Sequence, residues 1–118
     1  MKSLLLVLVS LFLLVLLMAA CNQDPTIEGR WILERIDTGN LSPAQSYEFL
    51  NGDLLQGESA KCFTNMSAIG KYTFLANMLE VKSKMGIDMK LVALTDNEVI
   101  FDIKDSTNAS GRVVYSRP

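Results

Sequence analysis

The chain of 118 residues carries 11 basic and 13 acidic residues, two cysteines and no histidine, for a formal net charge of −2. The lack of histidine excludes Ser-His-Asp and Cys-His catalysis, histidine-based zinc sites and the usual proton shuttle near neutral pH. The basic residues are scattered along the sequence and do not form the patch that nucleic-acid binders carry. No nucleic-acid partner, cofactor or metal is expected, and the chain does not read as an enzyme.

Lys2 is followed by an apolar run over residues 4–18, broken only by Ser10, and then by Ala19-Ala20-Cys21. A positive start, a short apolar core and small residues before a cleavage point mark a secretory signal. The run is shorter than the ~20 apolar residues of a membrane-spanning helix. Met18-Ala19-Ala20-Cys21 resembles the bacterial lipobox, with Met18 where Leu is usual. That resemblance implies that Cys21 is acylated, palmitate being one such chain, and becomes the mature N-terminus. The plainer alternatives are an ordinary signal peptide with a chance cysteine, or an uncleaved anchor. The expected organisation is a lipoprotein signal peptide over residues 1–20, an acylated cysteine and short tether over 21–27, and one domain over 28–118. The tether reaches about 25 Å when extended, which holds the domain close to a bilayer of the bacterial cell envelope. Asn22, where Asp would mark inner-membrane retention in some bacteria, points to the outer membrane.

Short strands with tight turns follow. Residues 31–36 are apolar and aromatic, and residues 37–43 are rich in turn formers, with a helical turn possible over 44–46. Tyr47 and Phe49 alternate with Glu48, and Asn51-Gly52 is the strongest short hairpin signal; residues 53–58 return. Residues 61–64 are a further short strand candidate. Tyr72 and Phe74 face one way and Lys71 and Thr73 the other, Ala76-Asn77 is a turn, and Leu79 and Val81 alternate with Glu80 and Lys82. Residues 89–94, 98–103 and 111–117 complete the set, with turns at 95–97 and 104–110. The pattern predicts an all-β fold, a small antiparallel up-and-down β-barrel of about eight short strands whose closure removes exposed edges.

Gly29-Arg30-Trp31 at the first strand is similar to the G-x-W signature of lipocalins. Together with Tyr47-Glu48-Phe49-Leu50-Asn51-Gly52, Gly70-Lys71-Tyr72-Thr73-Phe74, Leu91-Val92-Ala93-Leu94-Thr95 and Val113-Val114-Tyr115-Ser116-Arg117, it looks like the small lipocalin-like domains of bacterial lipoproteins. The likeness covers most of residues 27–118, although the chain is much shorter than a full lipocalin and shows no C-terminal helix. It implies a barrel, a basic residue at Arg117 packed on Trp31, and binding of a small apolar molecule.

The candidate site residues are Cys21 for lipidation and Trp31, Tyr47, Phe49, Tyr72, Phe74, Phe101 and Tyr115 for a ligand pocket or a barrel core. Alternation alone does not separate a lined cavity from a filled one, but so short a chain favours filling. Trp31 is expected to plug one end, under a cation–π contact from Arg117. Asp96, Glu98, Asp102 and Asp105 lack calcium-loop spacing and read as solvated turn acids. Met78, Met85 and Met89 read as adaptable packing. Cys62 is either a buried small apolar residue or an unpaired thiol. The expected function is a lipid-anchored envelope lipoprotein that binds a small apolar ligand or an envelope component without catalysis. The alternative is an interaction or assembly module with a filled core.

Overall fold

Residues 25–59, 63 and 65–118 are described by a computed structural model. Cys21, the signal segment, Cys62 and most of the candidate strand over 61–64 lie outside the described residues. Eight antiparallel strands run in chain order: β1 (Gly29–Gly39), β2 (Ser46–Leu50), β3 (Asp53–Gly57), β4 (Ser67–Leu75), β5 (Met78–Ser83), β6 (Asp88–Leu94), β7 (Glu98–Lys104) and β8 (Ser110–Ser116). The turns match the chemistry of their residues. Asn51 (φ 51°) and Gly52 (φ 84°), and likewise Ala76 (φ 53°) and Asn77 (φ 61°), take the paired positive φ of two-residue hairpins.

The hydrogen-bonded order is β5-β4-β3-β2-β1-β8-β7-β6. First and last strands of the chain therefore pair in the middle of the sheet, and the sheet curls until its edges, β5 and β6, come together. Phe49 of β2 and Phe101 of β7 report the curl. Two strands separate β2 from β7, which in a flat sheet would hold them roughly 14 Å apart, yet their ring centroids are 6.1 Å apart. Bulges in β1 at Leu33/Arg35 and Ile36/Thr38, in the β3–β4 ladder and in the β6–β7 ladder supply the local bending and twist that such curvature needs. The result is a nearly closed up-and-down barrel with no ladder between β5 and β6.

The period of two sorts most strands, although Val114 of β8 is fully buried between Val113 and Tyr115. Val99, Phe101 and Ile103 of β7 point inward and are buried, and Val113 and Tyr115 of β8 join them. The outer face carries cross-strand ion pairs, Arg30 with Glu48 and a two-bond contact from Arg112 to Asp102. Two stretches differ from the sequence expectation. β1 runs on through Asp37, Thr38 and Gly39, because β8 offers a continuous partner as far as Gly111 opposite Gly39. Residues 44–46 form no helical turn; Gln45 accepts a backbone hydrogen bond from Leu33 N–H at 2.9 Å, and β2 starts at Ser46.

Antiparallel pairing gives the barrel two poles. Gly29 opens β1 opposite Phe49, so the chain enters beside the Asn51-Gly52 turn. The turns at 76–77 and 95–97 lie at the same N-terminal pole, where Arg117 N–H donates to the Asn97 carbonyl at 3.0 Å. The described residues over 40–45, 58–59, 65–66, 84–87 and 105–109 lie at the opposite pole.

Candidate functional site

The seven candidate aromatic residues come from five strands and share one interior. Trp31, Phe49, Phe101 and Tyr115 present no surface that water touches, and Tyr47 and Tyr72 are also buried. Phe74 is half-buried against this core. The rings form a connected chain: Tyr72 meets Phe49 edge-on at 5.0 Å, Phe49 meets Phe101, Phe101 meets Tyr115 at 6.0 Å, and Tyr115 meets Tyr47 at 5.2 Å. These are the tilted and edge-to-face geometries that aromatic quadrupoles favour. The Tyr115 hydroxyl donates to the Ala44 carbonyl at 2.7 Å, whereas the buried Tyr72 hydroxyl has no hydrogen-bond partner among the described residues. Burial pushes the Tyr47 phenol up to about 12, hydrogen bonding to Tyr115 opposing the shift. Burial raises Tyr115 further, with the Tyr47 charge and hydrogen bond adding to it. Both are neutral phenols at any physiological pH.

Trp31 closes the N-terminal pole. Its indole N–H donates to the Ile27 carbonyl at 2.8 Å, which satisfies the one donor that burial would otherwise strand. The Arg117 guanidinium lies 3.7 Å from the centre of the Trp31 ring. It donates to the carbonyls of Thr26 (2.9 Å), Glu28 (2.8 Å) and, at 3.4 Å, Arg30. One cation thus staples the incoming chain to the end of β8. Gly29 sits at φ +108°, and a Cβ there would stand 2.7 Å from a guanidinium nitrogen of Arg117. Both facts call for glycine. Burial lowers the Arg117 pKa while Asp96 raises it, and a guanidinium remains charged throughout. Ile27 is fully buried in the core, although its position in sequence places it with the tether. An isolated apolar residue beside Pro25 and Thr26 carries no periodic signal; only the carbonyl it offers to Trp31 explains it.

Among the described residues, clefts open beside the packed rings and on the outer face. One of about 230 Å³ opens at the far pole among Leu41, Ala44, Tyr47, Met85, Ile87 and Ile103. Leu41 is buried there, which its place in a turn-rich stretch did not signal. A cleft of about 390 Å³ crosses the outer face, between Thr38, Lys90, Asp102 and Arg112. Another of about 570 Å³ lies beside Gln56, Asn65 and Ile69, and one of about 310 Å³ beside Lys71, Tyr72, Thr73 and Glu80.

The acidic residues do not converge. Asp102 pairs with Arg112, whose hydrogen bond holds its carboxyl below the usual range. Asp105 accepts from Thr107 N–H, Thr107 O–H and Ala109 N–H at 2.7–3.0 Å, which organises the last loop and lowers its pKa. Among the described residues, no three carboxylate or thiol groups are placed to hold a metal ion. Met78 is exposed at the start of β5, whereas Met85, exposed, and Met89, buried, flank the turn into β6 at the opposite pole. No family model, characterised protein or solved structure matches the chain.

Proposed function

We propose that this chain is a lipid-anchored lipoprotein of the bacterial cell envelope, held through Cys21 in the outer membrane, whose lipocalin-like barrel acts as a non-catalytic interaction module on a filled core. The observation that carries the reading of the barrel is the continuous ring chain from Tyr72 to Tyr47, with Trp31, Phe49, Phe101 and Tyr115 wholly shielded from water. Small-molecule sites typically span ~300–1,000 Å³ and bury most of the ligand; the aromatic interior here is occupied by its own side chains. The lipocalin likeness is supported by Gly29, Trp31 and Arg117, which meet at one pole with the basic side chain on the indole. The anchor is supported by the lipobox-like sequence together with Thr26, which is already fixed to the barrel by Arg117.

A second reading, binding of a small apolar ligand, is favoured by the cleft of about 230 Å³ among Leu41, Ala44, Tyr47 and Ile87. Native mass spectrometry of the full chain, extracted from membranes and exposed to a lipid extract of the source cells, separates the two. A clean mass carrying only the covalent acyl chains is expected for the interaction module. A discrete additional mass lost on denaturation would replace it with the ligand carrier. Changing Cys21 to Ala is expected to abolish acylation and membrane retention. A variant that still fractionates wholly with membrane after a high-salt wash would defeat the anchor.

A further inference from the structure

We propose that the tip of the β4–β5 hairpin, Leu75 with Met78, together with Leu50, is a membrane-contact wedge that seats the N-terminal pole on the lipid bilayer. The inference rests on the lipid-anchor reading above and adds a second, non-covalent contact to it. Leu75 is 81% exposed and Met78 68%, and they face each other directly across the turn. Single exposed apolar residues are ordinary. A pair of large apolar side chains this exposed, at one hairpin tip, is not the usual way to build a water-facing turn. Ala76 takes a left-handed conformation that Asn, Asp or Gly normally fills, so three of the four tip residues are apolar.

The placement points to lipid as the occupant. Lys71 pairs with Asp53, and Tyr72 N–H donates to the Gly52 carbonyl, so Thr73, Phe74 and Leu75 run past the neighbouring turn. Three strand residues project the tip by roughly 10 Å. Leu50 is 48% exposed on the outer face beside that turn, at the same pole. The chain enters at this pole too, with Thr26 and Glu28 held by Arg117. The four Cα-to-Cα steps from Cys21 to Pro25 span at most ~14 Å. A lipid on Cys21 therefore holds this pole within ~14 Å of the bilayer, a distance comparable to the wedge's projection, and apolar groups at such a boundary enter the headgroup region by ~5–10 Å. Lys71 is paired to Asp53, and Lys82 flanks Glu80. The charges near the tip are mixed, so the contact is apolar and not electrostatic.

The test uses the full acylated chain with Cys62→Ser, spin-labelled at Met78→Cys or Leu75→Cys, with Ser106→Cys at the far pole as reference. Each is reconstituted in phosphatidylcholine vesicles, recovered by flotation, and measured for access to oxygen and to a water-soluble nickel reagent. The expected result is flotation, with labels at 75 and 78 open to oxygen and shielded from nickel, a label at 106 open to nickel, and no change between ~0.1 and ~1 M salt, because only charge contacts are screened. If the chain floats but 75 and 78 are as open to nickel as 106, the wedge is wrong and the anchor stands. If the chain does not float, the anchor fails and the wedge falls with it. Labels shielded from both reagents would place the tip against protein, such as a second copy of the chain, and would also overturn the proposal.

Discussion

The β1–β8–β7 side of the barrel and the β5/β6 seam are written in the same alternating code, yet they end up differently. On the first side every strand has two partners, and inward residues such as Val99, Phe101, Val113 and Tyr115 are fully buried. At the seam each strand has one partner. The inward residues Leu79 and Val81 of β5, and Leu91 and Leu94 of β6, are only half-buried, while Met89 at the far-pole end of β6 is buried. Alternation therefore sets which face a side chain takes, while neighbouring strands and distance from the barrel's ends set how deeply it is buried. Stability is expected to follow the second quantity, with the seam opening more readily than the paired side.

The comparison is tested most severely at Trp31. Trp31→Ala removes a fully buried side chain next to β8 and leaves Arg117 without its ring, and a loss of about 3–5 kcal/mol is expected. Denaturant melting checks it, and a loss under ~1 kcal/mol would mean that the paired side is not where the fold is held. High pH attacks the same side. Tyr47 and Tyr115 have folded-state pKa values raised above the ~10 of an unfolded chain. Their contribution is fully present below pH ~10 and is lost as pH climbs toward 12, at up to about 1.4 kcal/mol per pH unit for each tyrosine. Melting from pH 9 to 12 is expected to show this fall, and Tyr47→Phe is expected to flatten it. An unchanged slope in that variant would count against a buried phenol.

At the seam, Val81→Ala is expected to cost only about 1 kcal/mol, below a full core truncation. Amide hydrogen exchange sharpens the point: amides of β5 and β6 should exchange faster than those of β7 and β8. Equal protection around the whole barrel would show that the missing ladder has no energetic consequence.

The division between the two sides also explains what the sequence made legible. Turns governed by local chemistry, Asn51-Gly52 and Ala76-Asn77, and the facing of Tyr47, Phe49, Tyr72 and Phe101 are local properties, and they read directly. The extension of β1 through Asp37, Thr38 and Gly39 is not local: those residues favour turns, and only pairing with β8 as far as Gly111 keeps them extended. The burial of Ile27 and Leu41 is likewise set by what packs over them. The unpaired seam depends on curvature summed over eight strands and several bulges, which no short window contains. For the aromatic set, sequence placed the residues on one face, whereas the ring chain that fills the interior depends on contacts between β2 and β7 across the barrel.

The smallest expected effect isolates the seam from the rest. Ala76 holds φ 53° at the turn between β4 and β5, a conformation that costs a residue with a Cβ roughly 1–2 kcal/mol. Glycine removes that cost but adds unfolded-state entropy worth ~0.4–1 kcal/mol. Ala76→Gly is therefore expected to stabilise by about 0.5 kcal/mol. Because β5 is attached to the sheet only through β4, the gain should appear as slower hydrogen exchange in β5, with β8 unchanged. Slowing of both strands by the same factor would mean that β5 opens only with the whole barrel, and the two sides would then be a single cooperative unit despite the missing ladder.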